Sequence, residues 1–285
     1  MKKILLPTDF SDNAWNAIFT AVKLYASVKC KFLILHAYEP KAMNILGKKS
    51  QQRLGVIYDS LEKYSTQELD KILEYLNKNH NNANHSFETI SKSDTLEKSI
   101  KELTTAEEVD LIVMGTQGAT GAKEIFLGSN TVKVLKQLKN NSVLVVPKDY
   151  NFQKLKTVVF PTDYTRMYKK LELLPMTEIA KLWKATIKVI HVGVEFKLSN
   201  VQKTNMGILE ERLEGSDYSL HEIAFEANVE QSVEQYISEI RADLLTVLRY
   251  QHSFWERIIG EPVIKKLAFH SKVPVLFLPE QSLRK

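Results

Sequence analysis

Leu111-Ile112-Val113-Met114-Gly115-Thr116-Gln117-Gly118, then nine residues, then Gly128-Ser129, reads as a strand, a glycine-rich loop and a helix start. The opening apolar run has the length and bounds of a buried strand, and Val132, Leu135 and Leu138 follow at helical spacing. Glycine permits close approach of the backbone to a ligand and backbone angles that other residues avoid. Free loop amides and the positive end of a following helix would then point at an anion. The spacing is neither a Walker A loop, since no Gly-Lys-Ser/Thr follows, nor the dinucleotide Gly-x-Gly-x-x-Gly. On the glycines alone, a surface loop is an equally good reading.

Working outward, the chain repeats itself. Lys3-Ile4-Leu5-Leu6-Pro7-Thr8-Asp9 has a counterpart in Thr157-Val158-Val159-Phe160-Pro161-Thr162-Asp163, an offset of 163 − 9 = 154. Phe32-Leu33-Ile34-Leu35-His36-Ala37 has one in Ile187-Lys188-Val189-Ile190-His191-Val192, an offset of 191 − 36 = 155. Val143-Leu144-Val145-Val146-Pro147 returns as Val275-Leu276-Phe277-Leu278-Pro279. Three landmarks in one order, twice, point to a duplicated domain. The pattern predicts strands near 3–7, 31–37, 85–90, 110–114 and 142–146, with helices near 12–28, 56–80, 94–105 and 129–140. Ser11 and Asp94 are the expected N-caps of the first and third helices. The second half predicts strands near 156–160, 186–192, 218–224, 243–248 and 274–278, with Pro175 delaying or kinking its first helix. Strands read as apolar throughout imply a parallel sheet covered by helices on both faces. The linker Lys148-Asp149-Tyr150-Asn151-Phe152 has no Gly/Ser tract, so the halves are expected to pack together, as domains 1–149 and 150–285.

The 285 residues suit two domains, and the net charge of +5 comes from lysines scattered among acids, without the clustered patch that nucleic-acid binding needs. No apolar run approaches the roughly 20 residues that span a bilayer, and the N-terminal run is too short for a signal peptide, so the expectation is a cytoplasmic protein without membrane or nucleic-acid partners. Cys30 is the single cysteine and cannot form an internal disulfide. The scattered histidines, His80 and His85 included, lack metal-ligand spacing, so no metal site is expected in the protein itself.

These residues together resemble the tandem form of the universal stress protein family, over nearly the whole chain. The resemblance implies two Rossmann-like (adenine nucleotide alpha hydrolase-like) domains, each a five-stranded parallel sheet with helices on both faces. It implies ATP, or another adenine nucleotide, with magnesium carried by the bound phosphates. In an open parallel sheet ligands sit beyond the carboxyl ends of the strands. There, by resemblance, the loop of Thr8 and Asp9 meets the adenosine, and Ala37 and Met114 line the adenine pocket. Gly115, Gly118 and Gly128 bring amides to the ribose and phosphates, and Ser129, Asn130 and Thr131 form the phosphate-binding helix start. Each has a plainer reading: Asp9 as a helix-dipole charge, Ser129 as an ordinary cap, Met114 as core, and His36 as a structural histidine rather than a catalyst.

The second half departs from the pattern. Arg249-Tyr250-Gln251-His252 stands where Gly-x2-Gly is expected, and Glu261-Pro262 follow Gly260 where Ser129-Asn130 follow Gly128. A glutamate repels an anion and a proline lacks an amide, so one nucleotide per chain is expected. The leading function is a nucleotide-binding stress-response or regulatory module. The alternatives are a slow ATPase or phosphotransferase, for which no arginine finger or Walker B pattern stands out, and a nucleotide-free interaction protein. The last strands of the two halves are expected to pair within the chain into a pseudo-dimer, since that covers two apolar edges at once. A homodimer of whole chains is left open by the sequence.

Overall fold

The computed structural model describes residues 1–39, 48–116, 128–138, 140–193, 197–248 and 271–279, with 48–57 described by backbone alone. The first half runs β1 (Lys2–Pro7), α1 (Asp12–Leu24), β2 (Cys30–Ala37), α2 (Lys48–Asn79), β3 (His85–Lys92), α3 (Leu96–Ala106), β4 (Leu111–Gly115), α4 (Ser129–Gln137) and β5 (Val143–Val146). The second runs β6 (Thr157–Pro161), α5 (Lys170–Trp183), β7 (Thr186–Gly193), α6 (Asn200–Leu213), β8 (Tyr218–Ala224), α7 (Val229–Glu239), β9 (Leu244–Leu248) and β10 (Val275–Leu278).

All these strands form one sheet, in the order β3-β2-β1-β4-β5-β10-β9-β6-β7-β8. Within each half the pairings are parallel. Across the seam β5 and β10 run antiparallel, with Val145 opposite Val275 and Val143 opposite Phe277. The order is palindromic, and an antiparallel pair of equivalent strands is what a twofold relation between the halves produces. The expected pairing of the final strands is therefore present.

Alternation along each strand builds two cores. Ile4, Leu6, Phe32 and Ile34 face the α1, α2, α5 and α6 side, where the cluster extends through Leu144 and Leu276 into the second half. Leu5, Leu33 and Leu35 face the α3, α4 and α7 side, where Val145 and Val275 join them. Each large aliphatic side chain buried this way contributes roughly 1.5–3 kcal/mol. The seam thus lies within both cores. Further bonds tie the halves: Trp183 Nε1 donates to Leu24 O at 2.9 Å, and Lys2 Nζ pairs with Glu178 at 2.7 Å.

Four expectations need correction. The edge strands β3 and β8 are not apolar throughout; the burial of β3 largely alternates, and no residue of β8 is fully buried. The N-cap of α3 is Thr95, which accepts from Lys98 N, while Asp94 accepts from Thr95 N at 2.7 Å. Helix α1 stops at Leu24, because Ala26 N turns back to Lys23 O and Val28 N to Tyr25 O, delivering the chain to β2. Pro175 lies inside α5, five residues after its start at Lys170, so it does not set the late start. That delay comes from the segment between β6 and α5, where Tyr168 is buried and Arg166 pairs with the buried Glu172 at 2.6 Å.

Candidate functional site

The sheet reverses its strand order beside β1, which lies between β2 and β4. Such a reversal, at the carboxyl ends of the strands, is the general ligand position of open α/β sheets. Thr8 and Asp9 follow β1, Ala37 ends β2, Met114 and Gly115 end β4, and Ser129, Asn130 and Thr131 open α4. The fold therefore carries all of these to one edge. Gln117 and Gly118 lie outside the described residues, as do Arg249, Gly260, Glu261 and Pro262 of the second half.

The turn after β1 is built by its own side chains. Phe10 takes a left-handed backbone at φ 66°, and its N–H donates to Thr8 Oγ1 at 3.0 Å. Asp9 Oδ1 accepts from Ser11 N at 3.1 Å and Ser11 Oγ at 2.6 Å. Ser11 Oγ in turn accepts from Ala14 N and caps α1, as expected. Part of Asp9 is thus committed to shaping the turn.

The glycine loop has a closed neck. Thr116 N–H donates to Val146 O at 3.0 Å, and Gly128 N–H donates to Thr116 O. The chain leaves and returns at one point, directly onto α4. Thr131 Oγ1, buried, donates to Gly115 O at 3.0 Å and fixes the helix to the strand end. Gly128, not Ser129, is the N-cap of α4, with no side-chain cap bond and no acidic residue in the first turn. Ser129 is therefore not the ordinary cap; it and Asn130 stand exposed at the helix start. Met114 is 5% exposed and packs in the core with Leu5 and Val145, so its plainer reading holds for most of its surface.

His36 is tied into the scaffold. Its Nδ1 lies 2.8 Å from Ser65 Oγ, which is 2.7 Å from Ser91 Oγ, and its ring packs 4.4 Å from that of Phe10. Burial lowers its pKa against the opposing pull of Asp9. Ser65 is fully buried, so the histidine holds β2, β3 and α2 together rather than activating an accessible nucleophile. Among the described residues no group of three or more His, Cys, Asp or Glu could hold a metal ion.

Sequence reasoning missed Asn13 and Asn16. Asn13 Nδ2 donates to Val146 O at 3.1 Å, and its Oδ1 accepts from Thr116 Oγ1 at 3.3 Å. Asn16 Nδ2 reaches Pro147 O, Lys148 O and Tyr150 O at 3.0, 3.2 and 2.7 Å. The available signal was a pair of carboxamides three apart in the first turns of an amphipathic helix.

The universal stress protein family model matches residues 1–147 of the 285. The chain belongs to this family. Universal stress protein MJ0577 of Methanocaldococcus jannaschii is 30% identical over 156 residues, covering 52% of this chain and 95% of that relative. Two solved structures follow nearly the full length. A universal stress protein from Archaeoglobus fulgidus has TM-score 0.66 at 16% identity, covering 98% of this chain and 97% of its own. The functionally unknown protein PA1789 from Pseudomonas aeruginosa has TM-score 0.59 at 16% identity, covering 98% and 92%. At that identity the likeness is one of fold, and it extends across both halves of this universal stress protein.

The second half keeps the first turn of the family pattern and changes what surrounds it. Tyr164 sits at φ 54°, its N–H donates to Thr162 Oγ1 at 3.0 Å, and Asp163 Oδ1 accepts from Thr165 N and Oγ1 at 3.0 and 2.8 Å. Beyond that, Tyr168 OH bonds Thr162 Oγ1 at 2.7 Å, Gln202 Nε2 donates to Asp163 O at 2.8 Å, and His191 Nδ1–H donates to Thr162 O at 3.0 Å. Neighbouring side chains thus engage the Thr162 hydroxyl and both carbonyls of this turn, while Asp163 Oδ2 is buried without a hydrogen-bond partner among the described residues.

Proposed function

We propose that this universal stress protein binds one adenine nucleotide, ATP with its magnesium by family resemblance, in a first domain of residues 1–149, and acts as a nucleotide-responsive regulatory module of the stress response. Residues 150–285 form a second domain with a degenerate site. The observation that carries the reading is the closed neck of the glycine loop. Thr116 and Gly128 meet where α4 begins, beside the Asp9 turn, and α4 opens on a glycine without a side-chain cap. Unpaired amides at a helix start favour an anion. Asp9 and Ala37 stand at the ends of the neighbouring strands β1 and β2, where the nucleoside would lie. Tyr168, Gln202 and His191 around the Thr162–Asp163 turn support an unoccupied second half.

The test is direct. The purified protein is denatured and any released nucleotide identified. Calorimetric titration of stripped protein with ATP and magnesium, ADP, AMP and cAMP then follows. Stoichiometry near one is expected; two equivalent sites would remove the asymmetry, and no binding by any of the four would remove the function.

A further inference from the structure

We infer that Asn13 is the positioning residue of the glycine loop, setting both of its ends from helix α1. The inference rests on the nucleotide reading above for its purpose, but its geometry stands apart from any ligand.

Asn13 is 2% exposed and makes contacts that converge on the neck of the loop. Its Nδ2 donates to Val146 O, the same carbonyl that accepts from Thr116 N–H. Its Oδ1 accepts from Thr116 Oγ1 at 3.3 Å. Its carboxamide lies against Gly115 so closely that a Cβ there would stand 2.7 Å from Asn13 Cγ and Oδ1. Thr116 O in turn receives Gly128 N–H, and Gly115 O receives Thr131 Oγ1. One buried side chain thus fixes Gly115 and Thr116, and these two hold Gly128 and Thr131 at the return of the loop. This contact by itself calls for a glycine at 115. A buried carboxamide is costly unless its donors and acceptor are satisfied, and here its bonds go to the end of β5 and the start of the loop.

The experiment compares wild type, Asn13→Ala, Gly115→Ala and the double variant. ATP affinity is read by calorimetry, stability by melting, and loop order by amide exchange of Thr116 and Gly128 without ligand. Asn13→Ala is expected to weaken ATP binding by roughly tenfold or more, the scale of one or two lost hydrogen bonds. Exchange at Thr116 and Gly128 should speed by a similar factor, while amides of β1 stay protected. Gly115→Ala alone should lower the melting temperature through the clash with Asn13. In the double variant the melting temperature should return toward that of Asn13→Ala, with affinity still reduced. Wild-type affinity and exchange in Asn13→Ala would overturn the inference. So would a double variant that regains affinity together with stability, since Asn13 would then only fill space. Loss of exchange protection in Asn13→Ala, alongside a wild type that binds no nucleotide, would support the positioning role and refute the nucleotide reading instead.

Discussion

Leu144 lies opposite Leu276 across the antiparallel seam, and the two are 1% and 0% exposed. The four-residue strands β5 and β10 each end the sheet of their own half. Alone, each would present an apolar row of unpaired amides and carbonyls, a template for aggregation. Joined, they satisfy each other and extend both cores across the molecule.

Val145→Asp should break this seam. Val145 is fully buried against Val275, and an uncompensated charge there costs about 3–5 kcal/mol. For domains of this size that corresponds to a fall of about 10 °C in melting temperature. An unchanged melting curve would show that the seam does not hold the halves together.

Glu178→Gln should do far less, although it removes an ion pair between the halves. The side chains of Lys2 and Glu178 are 27% and 42% exposed, so solvent screens the pair and its loss costs less than about 1 kcal/mol. The shift should shrink further in high salt. A large, salt-independent drop in melting temperature would contradict this.

Asp9→Asn should separate turn formation from ligand recognition. The amide keeps an oxygen to accept from Ser11 N and Oγ, so stability should change by well under about 1 kcal/mol. Loss of a charge-assisted bond to the nucleotide should weaken ATP binding roughly 10- to 100-fold. Equal affinity would reduce Asp9 to a turn former.

His36 should make the fold sensitive to mild acid. Burial lowers its pKa, so the unfolded chain takes up the proton first. The stability it contributes is present above the ordinary histidine value of 6.5 and is lost as pH falls below it. His80 and His221 are lowered in the same direction, also by burial. His36→Gln, which retains a partner for Ser65, should flatten the decline of melting temperature between about pH 7 and pH 5. An identical slope would assign the acid sensitivity to other groups.

Much of the fold was legible because its signals are local. Every expected strand lies within two residues of an observed one, since short apolar runs bounded by turn residues leave few alternatives. The helix boundaries were less legible. Helix α2 begins at Lys48, ahead of the expected residue 56, and α3 is capped by Thr95 rather than Asp94. A cap depends on which of two adjacent oxygens faces the first turn, and both residue types suit the position. The candidate site was legible as a set of loops. The commitments of its members were not: Asp9 is partly occupied by Ser11, Met114 is mostly core, and Ser129 is the first residue of its helix rather than the cap.

The sequence by itself determined the duplication, the strand and helix alternation, and the asymmetry between a glycine-rich loop in one half and its replacement in the other. Those properties reside in residue order and spacing. Only the tertiary structure decided what reaches across them. Asn13 meets Val146 over 133 residues of chain, Lys2 meets Glu178 over 176, and β5 meets β10 in one register. A hydrogen bond between distant residues leaves no periodicity in the sequence. It exists because the packing of helix against sheet fixes where each side chain ends, and that packing is a property of the whole chain.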